Sequence, residues 1–287
     1  MIRITVSAIV VFSLCFFISC KKTVNNFGSQ VQNITKENAL IEAAFDDVLK
    51  VSENILMKNA DAKIGTTAAP LGCITDIDSV VTGPGSKTYT IHFPPCTSYD
   101  GKARLGYMYL YLTGTNYNST GATLTVKFND FYINGNQLSG KMIVTNLGAG
   151  VFEVVVSDED GSGFAKMGIT EFNKETRWKS THKRIIYSGN GDNIILNNQY
   201  YICNYDSSIP TYEGFSTDGI HYQGDIVSDH LTLDYGCTAS GNLRYPMDGI
   251  IHFKTPYGNR TVDYGAGLCD YLATMGYNGA TQDLYLY

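Results

Sequence analysis

The residues best spaced to do chemistry lie in Asp158-Glu159-Asp160-Gly161-Ser162-Gly163. Oxygen side chains at alternate positions, Asp158, Asp160 and Ser162, followed by Gly163 where an EF-hand loop turns sharply, match the first half of a calcium loop. The second half does not follow, because Ile169 stands where the bidentate glutamate belongs and Glu171 is out of register. The plainer account is an acidic hairpin turn. Asp229-His230 offers an acid beside a base, but no serine is marked out as their partner. The five histidines, His92, His182, His221, His230 and His252, are scattered without metal-ligand spacing. His92 and His252 read as satisfied strand residues beside an aromatic. A nucleophile elbow, a zinc-binding HExxH and a phosphate-binding glycine loop are all missing. No cofactor is therefore expected, and an enzyme here would be a hydrolase without a recognisable motif.

Tyrosines are the other candidates. Tyr107, Tyr109 and Tyr111 alternate with Met108, Leu110 and Leu112, so a strand places the three rings on one face. With Tyr99, Tyr117 and Tyr132 nearby they could form a platform that stacks on sugar rings. Tyrosine also covers half-wet sheet surfaces well, which is the structural account of the same row.

The address of the chain is written at its start. Met1-Ile2-Arg3 is followed by an apolar run from Ile4 to Ile18, shorter than the about 20 residues that span a bilayer. The run ends in Phe17-Ile18-Ser19-Cys20, which resembles a bacterial lipobox. That resemblance implies a diacylglycerol on the Cys20 thiol, cleavage before Cys20 and a palmitate-type chain on the new amine. One acyl chain binds a membrane marginally, whereas several on one residue hold it. Residues 1–19 are then a signal peptide and 20–34 a lipidated tether. Lys21-Lys22 in place of acids after the anchor favours the periplasmic side of the outer membrane over the cell surface.

Net charge is −6, so nucleic acid is not an expected partner. Beyond Cys15 and Cys20 the chain holds Cys73, Cys96, Cys203, Cys237 and Cys269, in a compartment that permits disulfides. Three strands share the pattern Thr-aliphatic-polar-aromatic before a turn with a cysteine: Thr90 to Phe93 before Cys96, Thr232 to Tyr235 before Cys237, Thr261 to Tyr264 before Cys269. The favoured pairing is Cys73 with Cys96 and Cys237 with Cys269, leaving Cys203 as a strand residue facing the core.

These residues must be positioned by one helix and many strands. Thr35 is a fair N-cap, and a helix is predicted over 35–58, with Ile41, Ala44, Phe45, Val48, Val51 and Ile55 at three-four spacing. Asp46, Asp47, Lys50 and Glu53 fall off that stripe and are expected to face solvent. From Cys73 onward the period is two, and Asn134-Gly135 and Asn190-Gly191 mark tight hairpins. Residues 35–287 thus read as a single, mainly β domain. It is an antiparallel meander, either a sandwich or a sheet partly curled around the N-terminal helix packed on it.

Three stretches carry a further likeness: Ala43-Ala44-Phe45-Asp46-Asp47-Val48, Phe128 to Asn136 with Gly140, and Val262 to Asp270. In these the chain resembles a set of uncharacterised Bacteroidota exported lipoproteins. The resemblance implies a lipid-anchored β protein with a helix near its N-terminus, and brings no activity or substrate. The reading that results is a non-catalytic structural or binding protein of the cell envelope, partnered by the membrane and by a glycan, small ligand or envelope protein.

Overall fold

The computed structural model describes residues 29–58, 73–74, 76–98, 100–170, 173–188, 198–237 and 245–286. Cys20, the apolar run before it, Tyr99 and Asn190-Gly191 lie outside the described residues. Among the described residues a single helix, α1 (Ser29–Lys58), comes first. It begins before the cap predicted at Thr35, whose hydroxyl instead lies 3.6 Å from Met275 Sδ. At 1.5 Å per residue its 30 residues make a rod about 45 Å long. No helix of the described residues is long and apolar enough to cross a membrane.

Between Ile34 and Ile55 the helix is covered on every side; Lys36 alone is exposed there, and Leu40 and Asp46 are half-buried. Such a helix needs a layer all round it, and seventeen strands among the described residues supply that layer. The first four, β1 (Asp76–Gly83), β2 (Ser86–Thr97), β3 (Ala103–Thr113) and β4 (Thr123–Ile133), pair in chain order. Short strands follow: β5 (Asn136–Ser139), β6 (Lys141–Gly148), β7 (Val151–Ser157) and β8 (Ala165–Ile169). They lead to the long β9 (Lys174–Ser188). Next come β10 (Gln199–Asn204), β11 (Tyr212–Phe215), β12 (His221–Ile226) and β13 (Leu231–Asp234). The last are β14 (Asp248–Thr255), β15 (Gly258–Ala266), β16 (Leu272–Tyr277) and β17 (Ala280–Tyr285).

Every pairing is antiparallel, and the middle of the sheet uses one scheme twice. β4 pairs with β5 and β6, β6 with β7, β5 with β8, and β7 and β8 both rejoin β9. β9 then pairs with β10 and β11, β11 with β12, β10 with β13, and β12 and β13 both rejoin β14. This is an internal duplication of topology that shares β9. The cysteine echo in the sequence does not mark it, because its three strands, β2, β13 and β15, hold non-equivalent places in the scheme.

Alternation along each strand decides which rows meet the helix. Ile91 and Phe93 on β2, Met108 and Leu110 on β3, and Leu124 and Val126 on β4 are buried, while the rows between them face out. The helix therefore stands where a second sheet would be in a sandwich, and the sheet is curled around it. The Asn134-Gly135 hairpin forms as expected, with φ of 49° and 80° and Ile133 paired to Asn136.

Both expected cysteine pairs form, with Cα atoms 6.0 Å apart for Cys73–Cys96 and 5.5 Å for Cys237–Cys269. Cys203 corrects the sequence reading. It is half-buried on β10 and alternates with the buried Ile202, so it faces away from the core, opposite Lys183.

Candidate functional site

A helix buried on all sides would normally be apolar all round. Here Glu37, Asn38, Glu42, Asp47, Lys50, Ser52, Glu53 and Asn54 are buried too, and the sheet meets most of them with polar groups. Near the N-terminal end Thr217 donates from its backbone nitrogen and its hydroxyl to the two Glu37 oxygens, at 2.7 and 2.6 Å. Trp178 Nε1 donates to Asn38 Oδ1 at 2.9 Å, and the Tyr212 hydroxyl to Glu42 Oε1 at 2.5 Å.

The middle of the helix carries two ion clusters. Asp47 accepts from Lys102 Nζ at 2.6 Å and from Arg104 through two bonds of 2.9 Å. Arg104 also donates to Asp100 and to Ser98 Oγ. Burial pushes the Asp47 carboxyl up, but the Arg104 and Lys102 charges outweigh it and hold the group well below the usual range. At the adjacent helix position, Arg184 donates to Asp46 Oδ1 at 2.7 Å and to the Tyr235 hydroxyl, and lies over the Tyr200 ring at 3.7 Å. Glu53 closes the seam, accepting from the hydroxyls of Tyr117 at 2.9 Å and Tyr200 at 3.3 Å. Asp46 and Asp47 are thus interior anchors and not the solvated pair expected from the sequence.

Beside the Arg184 cluster an acid and a histidine share one cavity. Glu42, Asp46, His182 and Arg184 line this cavity, with Phe45 and Trp178. Burial raises the Glu42 carboxyl to about 8, the Tyr212 bond offsetting part of the rise. Burial and then the Arg184 charge lower the His182 imidazole to about 3. At neutral pH the cavity therefore holds a protonated carboxyl and a neutral imidazole. Glu42 Oε2, His182 Nδ1 and Arg184 Nε have no hydrogen-bond partner. The space open to a water centre is about 20 Å³, which suits a water bridging such atoms and is far below a substrate. Sequence reasoning passed over His182, yet a signal was there. Trp178, Ser180, His182 and Arg184 share the inward face of β9, and four polar-tipped residues in an inward row must find partners.

The other predicted residues lie apart from this seam. Tyr107, Tyr109 and Tyr111 form a row on the outer face of β3, opposite His92, Thr90 and Thr88 of β2. Tyr107 is 37 % and Tyr111 40 % exposed, and the Tyr107 ring stacks on His92 at 4.6 Å. Tyr117 does not join them, since its side chain is buried against Glu53. In the acidic turn, Asp158 Oδ1 accepts from the backbone nitrogens of Gly161 and Ser162 at 2.7 and 3.0 Å. That carboxylate closes the β7–β8 connection, as in the hairpin account, with Asp160 and Ser162 exposed beside it. Among the described residues no group of three or more His, Cys, Asp or Glu gathers as metal ligands. Asp229 is exposed and His230 packs on Tyr201, with centroids 3.7 Å apart. No family model, no curated protein and no solved structure matches this chain.

Proposed function

We propose that the chain is a cell-envelope protein, held at the periplasmic side of the outer membrane by acylated Cys20, whose β domain braces or binds and does not catalyse. The observation that carries this reading is the filled interior. Among the described residues the sheet's concave side is occupied by α1 and its ion pairs, and the cavity beside His182 has room for about one water, so partners meet the outer surface. The likeness to exported Bacteroidota lipoproteins and the run ending at Cys20 support the address. The test is the intact mass of the protein extracted from membranes. A mature chain starting at Cys20 and heavier by three acyl chains and a glycerol is expected. An unacylated chain in the soluble fraction removes the anchor from the reading.

A second reading, a glycan-binding surface, draws support from the outer row Tyr107, Tyr109 and Tyr111 and its flanking Thr88 and Thr90. Exposed rings on a rigid strand lose little entropy when they stack on a sugar face. Titration with a neutral hexose oligomer should quench tyrosine fluorescence, and Tyr107→Ala with Tyr111→Ala should abolish the response. Equal titration curves for both proteins would discard this surface.

A further inference from the structure

Among the described residues three arginines are almost wholly buried, Arg104 at 1 %, Arg184 at 2 % and Arg260 at 2 % exposure. The first two are matched by carboxylates: Asp47 and Asp100 meet Arg104, and Asp46 meets Arg184. Arg260 is different. Its Nε and both terminal nitrogens are buried without a hydrogen-bond partner, and no carboxylate within ion-pair distance faces it among the described residues. A buried charge of this kind is costly unless it is paired and hydrogen-bonded.

Its surroundings say where a partner would come from. Arg260 points inward from β15, opposite Phe253 of β14, and its guanidinium lies over the Tyr277 ring at 5.1 Å. The next inward residue, Val262, pairs with Met275, whose sulfur touches Thr35 of α1. Arg260 thus sits at the rim where the Thr255–Gly258 turn lies, beside the N-terminal half of the helix. The chain leading into that half supplies no acid, because residues 1–36 contain neither Asp nor Glu. Glu37, the first acid, has both oxygens committed to Thr217. Burial lowers the Arg260 guanidinium and Tyr277 opposes the change only in part, as for a cation without a counter-ion.

We propose that Arg260 is the base of an anion site at this rim, and that its ligand is one phosphate group presented from outside the chain. Two acceptor oxygens match the guanidinium fork, and the Tyr277 face fixes the plane of that fork. The phosphate can be a free ion or a lipid headgroup, since the chemistry offered to Arg260 is the same.

The test compares the full-length protein with Arg260→Met in chloride and in inorganic phosphate at equal ionic strength. The variant keeps an unbranched apolar stem and removes the charge, so in chloride it should melt at or above the wild-type temperature. Phosphate should raise the wild-type Tm by about 2–4 °C or more beyond any rise in the variant, because a ligand of the native state stabilises by mass action. Phosphate stabilises many proteins by exclusion from their surface, and the variant subtracts that effect. Should Arg260→Met fail to fold, Arg260→Lys, which offers a point charge without the fork, should show a reduced shift. Sedimentation with phosphatidylglycerol vesicles then assigns the source. Arg260-dependent pelleting means a headgroup, and a phosphate shift without pelleting means a soluble anion. Equal shifts in wild type and variants, with equal pelleting, would overturn the site.

Discussion

Asp47 on α1 and Arg104 on β3 are joined by two parallel bonds of 2.9 Å, although 57 residues separate them in the chain. The pair is buried, so removing one member strands the other. Asp47→Ala leaves Lys102 and Arg104 with Asp100 alone and should cost about 3–5 kcal/mol. Replacing Asp47 by Leu and Asp100 by Asn with Lys102→Met and Arg104→Met together should cost much less, because both carboxylates leave with both cations. Urea unfolding of the variants checks both, and an Asp47→Ala midpoint equal to wild type would mean the pair is wetter than its geometry.

That pair also shows where the sequence stopped being legible. The helix stripe, the strand alternation around Tyr107 and the Asn134-Gly135 turn are local patterns and readable as such, whereas the cysteine pairing, across 23 and 32 residues, was a choice among connectivities that no local pattern fixes. The buried polar seam was not readable, because the partners of Asp47 and Asp46 lie 57 and 138 residues downstream. Off-stripe charges on an isolated helix look solvated until a sheet brings them cations. Cys203 failed for another reason: Tyr200-Tyr201-Ile202-Cys203 is apolar on both faces, so no alternation sets its phase. The repeated pairing of β4 to β9 and β9 to β14 left no trace in residue types, since topology depends on which strand edges meet.

The cavity groups set a pH profile. The Glu42 carboxyl rises from 4.5 to about 8 in the folded state through burial. Its contribution is complete below pH 4.5 and is lost as pH rises through 8. The His182 imidazole falls from 6.5 to about 3, so between those values the unfolded chain binds more protons and stability grows with pH. The two slopes oppose each other, each about 1.4 kcal/mol per pH unit, where the windows overlap. Stability should therefore be flattest between about pH 4.5 and 6.5 and fall on both sides. Glu37 and Glu53, both raised by burial, add to the alkaline fall, and Asp47, held low against its burial by Arg104 and Lys102, adds to the acid one. Glu42→Gln should soften the alkaline arm in urea titrations from pH 4 to 9. An unchanged arm would locate the alkaline sensitivity elsewhere.

Among Cys73, Cys96, Cys203, Cys237 and Cys269, one thiol should react with iodoacetamide in the native, unreduced protein. That thiol is Cys203, and it should react slowly near neutrality, because burial raises it while Lys183 offsets only part. The loops closed by the disulfides span 23 and 32 residues, so losing either should cost about 3–4 kcal/mol by loop entropy. Mass spectrometry after alkylation counts the thiols, and thermal melts of Cys73→Ser and Cys237→Ser read the cost. More than one modified cysteine in this set without reductant would undo the pairing.

The bend that lets the sheet curl should be the least tolerant backbone position. Gly106 sits at the β3–β4 register shift with φ of +100°, and a Cβ there would stand 1.9 Å from the Asp130 carbonyl oxygen. Asp130 itself has φ of 47°, so both strands are bent at one point, as a bulge requires. Gly106→Ala therefore meets an unfavourable φ and a collision with backbone that no rotamer relieves, a loss of about 4 kcal/mol or more. Gly121 separates the two terms. Its φ is +82°, but nothing lies within 4 Å of its added Cβ, so Gly121→Ala should cost about 1–2 kcal/mol for the φ alone. Urea midpoints of the two variants give the comparison. A Gly106→Ala loss no larger than that of Gly121→Ala would mean the strands can part at the bulge, and that the curl around α1 is held by the helix contacts and not by the bend.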